Sequence, residues 1–173
     1  MNSKKGQEPA LRAPEKLTAN HLLEDFQCGI PSLDEWLKRR AWRNEQEGAS
    51  RTYVLCAGAR VVGYYCLAAG SLAAANAPGK VRRNMPDPIP VMILGRLAVD
   101  QGWKSQGLGR GLLRDATLRV LGAADVAGIR AILVHAISEE AKRFYESCGF
   151  MESPTHPMTL LAMLKDIKTI FEL

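Results

Sequence analysis

The sequence predicts an α/β fold, formed by strands and helices that alternate along one chain. Its 173 residues contain 47% hydrophobic and 24% charged residues, which is an ordinary globular composition for one domain with a sizeable core. Short apolar runs rich in Val, Ile and Leu alternate with segments whose apolar residues recur at helical spacing. The polar residues 1–16 contain two prolines, so we expect a flexible N-terminal segment there and a single domain over residues 17–173.

The first half of the domain is predicted to be a helix followed by a β-hairpin and a loop. Ser32 and Glu35 have the spacing of a capping box, and apolar residues at helical spacing follow them. Two runs rich in Val, Tyr and Leu flank a turn of small residues around Gly58, which predicts the hairpin. Four prolines then predict a loop without helix, because proline lacks a backbone donor and restricts the residue before it. The predicted ranges are a helix over 32–47, strands over 52–56 and 60–69, and a loop over 70–90.

The second half is predicted to alternate between buried strands and helices. The apolar run that ends at Val99, interrupted only by Gly95 and Arg96, indicates a central strand covered on both faces. Ser138 is placed to cap a later helix, which Gly149 ends. The predicted ranges are strands over 91–99, 131–137 and 158–164 and helices over 108–127 and 139–147, followed by a short charged tail.

Charge and cysteine usage exclude several classes of protein. The 23 Lys and Arg residues against 18 Asp and Glu give a net charge of +5, which indicates an anionic partner. No apolar run approaches the roughly 20 residues of a membrane span, and the first residues have no apolar signal region, so we expect a cytoplasmic protein with no membrane contact. The four cysteines have no metal-ligand spacing, which predicts reduced, buried thiols and no metal site.

Residues 106–111 are the strongest candidate for a ligand-binding site. Glycines there leave backbone amides unshielded, and these amides open a predicted helix whose N-terminus favours negative charge. Lys104 and Arg110 add positive charge, so we expect a bound diphosphate. A Rossmann fingerprint would require glycine where Leu112 stands, and a P-loop would not have Trp103 between its glycine and its lysine. A glycine-rich helix start that binds nothing is the remaining alternative.

Three segments resemble signatures of the GCN5-related N-acetyltransferase (GNAT) family. Gln106-x-x-Gly109-x-Gly111 resembles its Q/R-x-x-G-x-G/A motif, Leu97-Ala98-Val99 its splayed central strand, and 141–150 its second signature. The resemblance covers residues 50–164 and implies a mixed, mostly antiparallel central sheet flanked by helices, with acetyl-CoA as the acetyl-donor substrate. The cofactor-binding residues that it implies are Leu97, Val99, Lys104, Gln106, Gly107, Gly109, Arg110, Gly111, Ser138 and Phe144.

A narrower resemblance concerns the TacT-type toxins within that family. It rests on residues 81–100 together with residues 34–38 and 51–54. This resemblance implies an enzyme that acetylates the α-amino group of aminoacyl-tRNA and so blocks translation. It also implies a homodimer that is neutralised by a ribbon–helix–helix antitoxin, through which alone the toxin would contact operator DNA as a repressor.

Two groups are candidates for catalysis in the implied reaction, which is attack of a neutral amine on the thioester carbonyl. The backbone amide of Val99 would stabilise the tetrahedral oxyanion where the strand splays. The Tyr145 phenol would protonate the departing thiolate, because an ordinary phenol keeps its proton at pH 7. Its alternative role is a core aromatic residue beside Phe144.

No side chain is clearly placed as a general base, and the implied acceptor does not require one. An α-amino group titrates near about 7.7 to 8, so much of it is already neutral. Asp100 is equally consistent with turning the chain, and Glu140 with stabilising a helix N-terminus. His135, on a predicted central strand, has contact with the site as one open role, but we favour a hydrogen-bonded core histidine.

Nine cations are candidates for contacts with tRNA phosphates, which supply affinity without reading sequence. They are Lys38, Arg39, Arg40, Arg43, Lys80, Arg82, Arg83, Arg96 and Lys142. The cations of the first helix have the alternative role of a solvated face. Two other functions stay open, namely a GNAT that acetylates a small amine or a protein N-terminus, and a DNA-bound co-repressor that acts through its antitoxin.

Overall fold

The computed structural model describes residues 9–173 and contains one seven-stranded mixed sheet. Its order is β1-β2-β3-β4-β5-β7-β6, and only the β4–β5 pair is parallel within the described chain. This confirms the predicted mixed, mostly antiparallel sheet. The strands are β1 (Glu15–Lys16), β2 (Arg51–Ala57), β3 (Arg60–Leu72), β4 (Ile89–Val99), β5 (Ala131–His135), β6 (Met151–Glu152) and β7 (Thr159–Met163).

Helices cover both faces of the sheet because side chains alternate between the faces along each strand. On one face Tyr53 and Leu55 belong to a core built with α4, α5 and α6, and on the other Val54 and Cys56 pack with α1 and α2. A smaller apolar cluster lies beneath the segment around Val81. The helices are α1 (Pro31–Arg39), α2 (Ala41–Glu47), α3 (Gly79–Arg82), α4 (Leu108–Ala124), α5 (Glu139–Ser147) and α6 (Leu164–Ile170).

The predicted capping box is wrong, although a helix does form there. Helix α1 begins at Pro31 after Ile30, with no side-chain cap, because proline suits the first position of a helix and moves the start one residue upstream. Ser32 therefore lies inside the first turn, where it cannot act as the cap. The single helix predicted over 32–47 is divided at Arg40, whose φ is −117°.

The predicted flexible segment is wrong from residue 9 onward, while residues 1–8 lie outside the described part of the chain. Glu15 and Lys16 pair with β2 as strand β1, and Leu11 forms a bridge with Ala57. The carbonyl of Pro14 also accepts a hydrogen bond from Arg119 Nη2 at 2.9 Å. The physical reason is that β2 would otherwise expose an unpaired edge, which this segment covers.

The predicted loop and tail contain more structure than expected. Strand β3 continues to Leu72, and the short helix α3 forms despite the prolines around it. The Arg130 guanidinium holds this segment by donating to the carbonyls of Lys80, Val81 and Arg83 at 3.1, 3.0 and 3.4 Å. The charged tail forms α6 because Leu164 and Ile167 are buried in the core.

Within residues 9–173, no helix is both long enough and apolar enough to span a bilayer.

Candidate active site

Strand β4 separates from β5 half-way along its length, which opens a wedge in the sheet. The two strands pair only over 91–94, whereas β4 continues on β3 alone as far as Val99. The separation coincides with a bulge at Gly95, because Cys66 pairs with Arg96 but Leu67 pairs with Leu94. This confirms the splayed central strand. The expectation that β4 is covered on both faces is wrong beyond Leu94, since the second half of the strand lines the wedge.

The backbone groups of Leu97 and Val99 face into the wedge. The amide of Asp100 donates to Val62 of β3 at 2.8 Å, so residue 100 points its backbone toward β3. In an antiparallel pair, alternate residues direct both the N–H and the C=O toward the neighbouring strand. Residues 97 and 99 therefore direct theirs to the opposite side, where β5 has moved away. The Val99 amide therefore has no strand partner on that side, and its role toward an oxyanion stays a prediction.

The wedge contains a cleft with a volume of about 300 Å³. Its walls come from β4, β5, α5, the start of α4 and the segment that precedes α1. Among the candidate catalytic, binding and base residues identified from the sequence, those lining the cleft are Arg96, Leu97, Val99, Lys104, Gly109, His135, Ser138, Glu140, Phe144 and Tyr145. The four other predicted cofactor residues do not line the cleft and are exposed. They are Gln106, Gly107, Arg110 and Gly111.

The glycine segment forms an open helix N-terminus beside the cleft. Gly107 caps α4 with a φ of +76°, a left-handed conformation that favours glycine, and no side chain caps this helix in the described structure. A Cβ atom at Gly107 or Gly111 would meet nothing within 4 Å, so the amides here are unshielded. Gly109 is different, because its Cβ would lie 3.7 Å from Phe144 across the cleft. The arrangement suits a phosphate group.

The two cations of this segment point in different directions. Lys104 lines the cleft and donates from Nζ to the carbonyl of Cys28 at 2.7 Å. Arg110, in the first turn of α4, instead points toward the ends of α5 and α6, with its guanidinium 5.0 Å from the ring centre of Phe171 and Nη1 3.5 Å from Cys148 Sγ. Lys104 is thus the cation closer to a ligand in the cleft.

Tyr145 is buried at the wall of the cleft. It is 7% exposed and packs edge-on against Phe144 and Phe150, with ring centres 5.2 and 5.4 Å away. Burial raises the pKa of the phenol above its ordinary value, because the charged form would lose its hydration. The group therefore keeps its proton at neutral pH. Helix α5 holds it in place and is capped, as predicted, by Ser138 Oγ, which accepts from the Ala141 amide at 3.1 Å.

The sequence profile of the family described as "Acetyltransferase (GNAT) domain" matches residues 48–152. This chain belongs to the GNAT acetyltransferase family. It is also 50% identical over 158 residues to a protein of Mycobacterium tuberculosis (strain ATCC 25618 / H37Rv) named "tRNA-acetylating toxin", covering 91% of this chain and 95% of that protein.

Solved structures of AtaT resemble this GNAT chain over nearly its whole length. AtaT complexed with acetyl-methionyl-tRNAfMet is 31% identical with a TM-score of 0.86, covering 94% of this chain and 99% of that one. A tyrosine-to-phenylalanine variant of AtaT, bound to acetyl-CoA and to the C-terminus of the antitoxin AtaR, is 30% identical with a TM-score of 0.81, covering 95% and 99%. The AtaT–AtaR complex bound to DNA is 31% identical with a TM-score of 0.74, covering 91% and 98%.

Three polar side chains of this GNAT domain are candidates for a general base. Asp100 is 4% exposed and accepts from the amides of Gln27 and Gly102 at 3.0 and 2.9 Å, so it turns the chain. Glu140 is exposed at the rim of the cleft. The interpretation of His135 as a core histidine is wrong, because its ring is exposed at the cleft and bonds Thr159 Oγ1 at 3.0 Å. The end of β5 is open there since β4 has splayed away.

The predicted RNA-binding cations of this GNAT domain differ in how far their charge is available. Lys142 is 12% exposed and pairs with Glu152, and Lys80 pairs with Asp166. The α1 and α2 cations are exposed, and two of them form i,i+4 pairs, Arg39–Glu35 at 3.9 Å and Arg43–Glu47 at 3.1 Å. Arg82 and Arg83 are exposed on α3 and the residue after it. Arg96 lies in the cleft itself.

Sequence reasoning missed the wall of the cleft that faces β4. It consists of Cys28, Ile30 and Leu33, which precede or begin α1. No motif marks these residues, and their place depends on contacts with the turn after β4, more than 70 positions away in the sequence, such as the Gln101 amide donating to the Gln27 carbonyl at 2.8 Å. The left-handed Gly29, with a φ of +94°, is the only local signal of a sharp bend there in the described chain.

Proposed function

We propose that this chain transfers the acetyl group of acetyl-CoA to the α-amino group of aminoacyl-tRNA and thereby blocks translation. The observation that carries the proposal is the wedge itself, in which the open Val99 amide, the buried Tyr145 phenol and the uncapped start of α4 border one cleft. The 50% identity with a tRNA-acetylating toxin supports tRNA as the acceptor.

The donor occupies the side of the cleft that includes α4. The diphosphate of coenzyme A accepts hydrogen bonds from the amides around Gly107 and Gly109, while Lys104 adds positive charge. The pantetheine arm runs along β4 and pairs with the free backbone groups of Leu97 and with the Val99 carbonyl, as another strand would, which leaves the Val99 amide for the thioester oxygen. In this proposal the thioester lies between Val99 and Tyr145.

The reaction forms a nitrogen–carbon bond and breaks a carbon–sulfur bond. The neutral amine attacks the thioester carbonyl, and the Val99 amide donates to the oxygen as it becomes negative. Collapse of the tetrahedral species expels the coenzyme A thiolate, which takes a proton from Tyr145. The attacking amine releases a proton to solvent, and the phenol is reprotonated in turn.

The proposed acceptor chemistry does not depend on a strong base, although His135 and Glu140 both line the cleft. Asp100 is held by two backbone amides outside the cleft lining, so it is not the base. An α-amino group, with a pKa near about 7.7 to 8 and lower still when its carboxyl is esterified, is neutral often enough to react. A lysine side chain, with a pKa near about 10.4, is almost wholly protonated at neutral pH and would depend on a base much more strongly.

The nine predicted cations contribute unequally to tRNA binding in this proposal. Arg82 and Arg83 are exposed and carry phosphate contacts remote from the cleft, while Arg96 acts within it. Lys142 and Lys80 contribute less, because nearby carboxylates already neutralise them.

The partners are proposed by analogy with AtaT. A ribbon–helix–helix antitoxin would neutralise the enzyme and carry it to operator DNA, as the complexes of AtaT with AtaR and with AtaR and DNA suggest. We further propose that the chain functions as a homodimer in the cytoplasm.

Transfer of radiolabelled acetyl from acetyl-CoA to a pool of purified aminoacyl-tRNAs tests the proposal directly. We expect label that co-migrates with tRNA and is released by hydrolysis of the aminoacyl ester. A small amine and a peptide with a free N-terminus serve as competing acceptors. Label on either of those, with none on tRNA, would contradict the proposal.

A further inference from the structure

Arg96 lies in the cleft on top of a stack of aromatic rings. Its guanidinium carbon is 4.4 Å from the ring centre of Trp36. Trp36 in turn stacks on Tyr64, with ring centres 6.0 Å apart and planes inclined by 9°. Tyr64 is fully buried, and its hydroxyl donates to the Leu33 carbonyl at 2.7 Å. The stack therefore fixes the guanidinium from below and leaves little freedom in its position.

The β4 bulge is the reason that Arg96 is directed there. Gly95 is the extra residue of the bulge, so the side chain after it takes a different direction from the one that regular pleating would give. A Cβ at Gly95 would lie 3.0 Å from Cys66 Sγ, which explains why glycine stands at that position. The bulge and the glycine together direct the Arg96 side chain into the wedge.

The charge of Arg96 is available to a ligand. Arg96 forms no ion pair with a carboxylate anywhere in residues 9–173, unlike Arg39, Arg43 and Lys142. A guanidinium presents five N–H donors in a planar fork that fits a phosphate better than a lysine ammonium does. Arg96 is thus a rigid, unpaired anion-binding group beside the site of acetyl transfer.

The distance along β4 indicates which phosphate it binds. Arg96 precedes Val99 by three residues, or about 10 Å of strand. In aminoacyl-tRNA, eight bonds join the α-amino nitrogen to the phosphorus on the 5′ side of the terminal adenosine, a path of about 10 Å when extended. An amine positioned at Val99 therefore brings that phosphate to the level of Arg96.

We propose that Arg96, supported by Trp36, binds the last phosphodiester of the tRNA acceptor end and so aligns the α-amine with the thioester. This inference rests on the proposed function and adds to it a contact with one particular phosphate of the tRNA. Arg82 and Arg83, by contrast, supply contacts that any polyanion would satisfy. The contact selects acceptors that carry a 5′-linked nucleotide over a bare aminoacyl nucleoside.

The experiment compares two acceptors that share one aminoacyl group, aminoacyl-CCA trinucleotide and aminoacyl-adenosine, both prepared by nuclease digestion of the same charged tRNA. For wild type, Arg96→Lys and Trp36→Leu, kcat/KM is measured on each acceptor. We expect the ratio of kcat/KM on the trinucleotide to kcat/KM on aminoacyl-adenosine to fall about tenfold or more in both variants, chiefly through KM. Lysine keeps the positive charge, but it cannot stack on Trp36 or form two parallel hydrogen bonds to a phosphate. Arg114→Lys, an exposed arginine of α4 outside the cleft, is the matched control and should keep the wild-type ratio.

The affinity for acetyl-CoA, measured by calorimetry, shows whether each variant is folded and whether the effect is confined to the acceptor. An unchanged ratio in Arg96→Lys overturns the inference and leaves the proposed function intact. A parallel loss of acetyl-CoA affinity also overturns it, because Arg96 would then bind the donor phosphates. If the wild type acetylates neither acceptor nor intact aminoacyl-tRNA, the proposed function fails and this inference fails with it.

Discussion

Tyr145 shows how the surroundings of one residue suit it to one chemical role. Its phenol is nearly buried between two phenylalanine rings, and this burial raises its pKa, so the group holds its proton throughout the physiological range. A proton donor must hold its proton before the step, which this phenol does, and its position at the cleft wall is what favours that role over a purely structural one. The motif in the sequence located the residue, whereas its burial and orientation required the assembled fold.

We expect Tyr145→Phe to lower kcat by about 10²- to 10⁴-fold, because the substitution removes the acid and keeps the ring packing. The affinity for acetyl-CoA should stay within about twofold of wild type, since that binding depends on backbone amides. Steady-state transfer assays and calorimetry measure the two quantities. Tyr53→Phe, which removes the same oxygen from a buried tyrosine outside the cleft, is the control. Turnover near wild type in Tyr145→Phe would make that residue structural.

At the scale of the elements, the strongly periodic segments were predictable and the ends of elements were not. The hairpin, α4, β5, α5 and β7 all lie where the sequence placed them, because their apolar patterns are long or bounded by clear glycine and serine signals. The start of α1 was misassigned since Pro31 competes with the Ser32 capping signal. The sequence predicts only a short charged tail after β7, because α6 is short and exposes its charged residues, Lys165 and Lys168.

The start of α4 depends on glycine at one position more than at others. Gly107→Ala should destabilise the protein by about 1 kcal/mol, since alanine is strained at a φ of +76°. It should also weaken acetyl-CoA binding at least about threefold, as the loop relaxes away from its open form. Gly122→Ala, in the last turn of the same helix with open space around its Cβ, should instead stabilise by up to about 1 kcal/mol. Urea denaturation and calorimetry measure both, and equal effects of the two substitutions would contradict the role of Gly107.

At the scale of the whole molecule, the sequence motifs name residues expected to bind acetyl-CoA. For the acceptor, the sequence indicates only the chemistry of the partner, through its basic residues. The glycine motif and the α5 motif are local, so reading them requires no knowledge of the fold. The wall formed by Cys28, Ile30 and Leu33, and the stack of Arg96 on Trp36, are contacts between distant segments. No local sequence pattern encodes such contacts. Composition likewise does not show which cations are paired with carboxylates, as Lys142 is.

Charge on the outer surface should govern the use of tRNA but not of acetyl-CoA. We expect the double variant Arg82→Glu and Arg83→Glu to lose transfer to aminoacyl-tRNA while its calorimetric affinity for acetyl-CoA is retained. The loss follows because phosphate contacts are electrostatic, and for the same reason wild-type transfer should weaken as salt rises. Lys16→Glu with Arg114→Glu changes the net charge equally at exposed positions outside the predicted set. Unchanged tRNA acetylation by the Arg82/Arg83 variant would remove α3 from the interface.

The buried tyrosines should make the folded protein sensitive to alkali. Burial raises the pKa values of Tyr64, Tyr65 and Tyr145, so each phenol keeps a proton that the unfolded chain loses above about pH 10. The native state then binds more protons, and the free energy of unfolding falls as pH rises, by about 1.4 kcal/mol per pH unit for each phenol. Below about pH 9 these groups should cause no change. Urea denaturation between pH 8 and pH 11 tests this, and Tyr64→Phe should reduce the slope above about pH 10 by the contribution of one phenol. Burial also raises the pKa values of the thiols of Cys28, Cys56 and Cys66, which add equally to the slope of wild type and variant.

The carboxylate of Asp100 has a consequence for how such enzymes could be altered. It binds the amides of Gln27 and Gly102, and Lys104 adds a further bond from the donor loop to Cys28. Residues 27–33 and 100–104 are thereby held together by hydrogen bonds across more than 70 positions of sequence. A segment transplanted from a homologue to obtain another amino-acid preference should fit only when its companion turn travels with it.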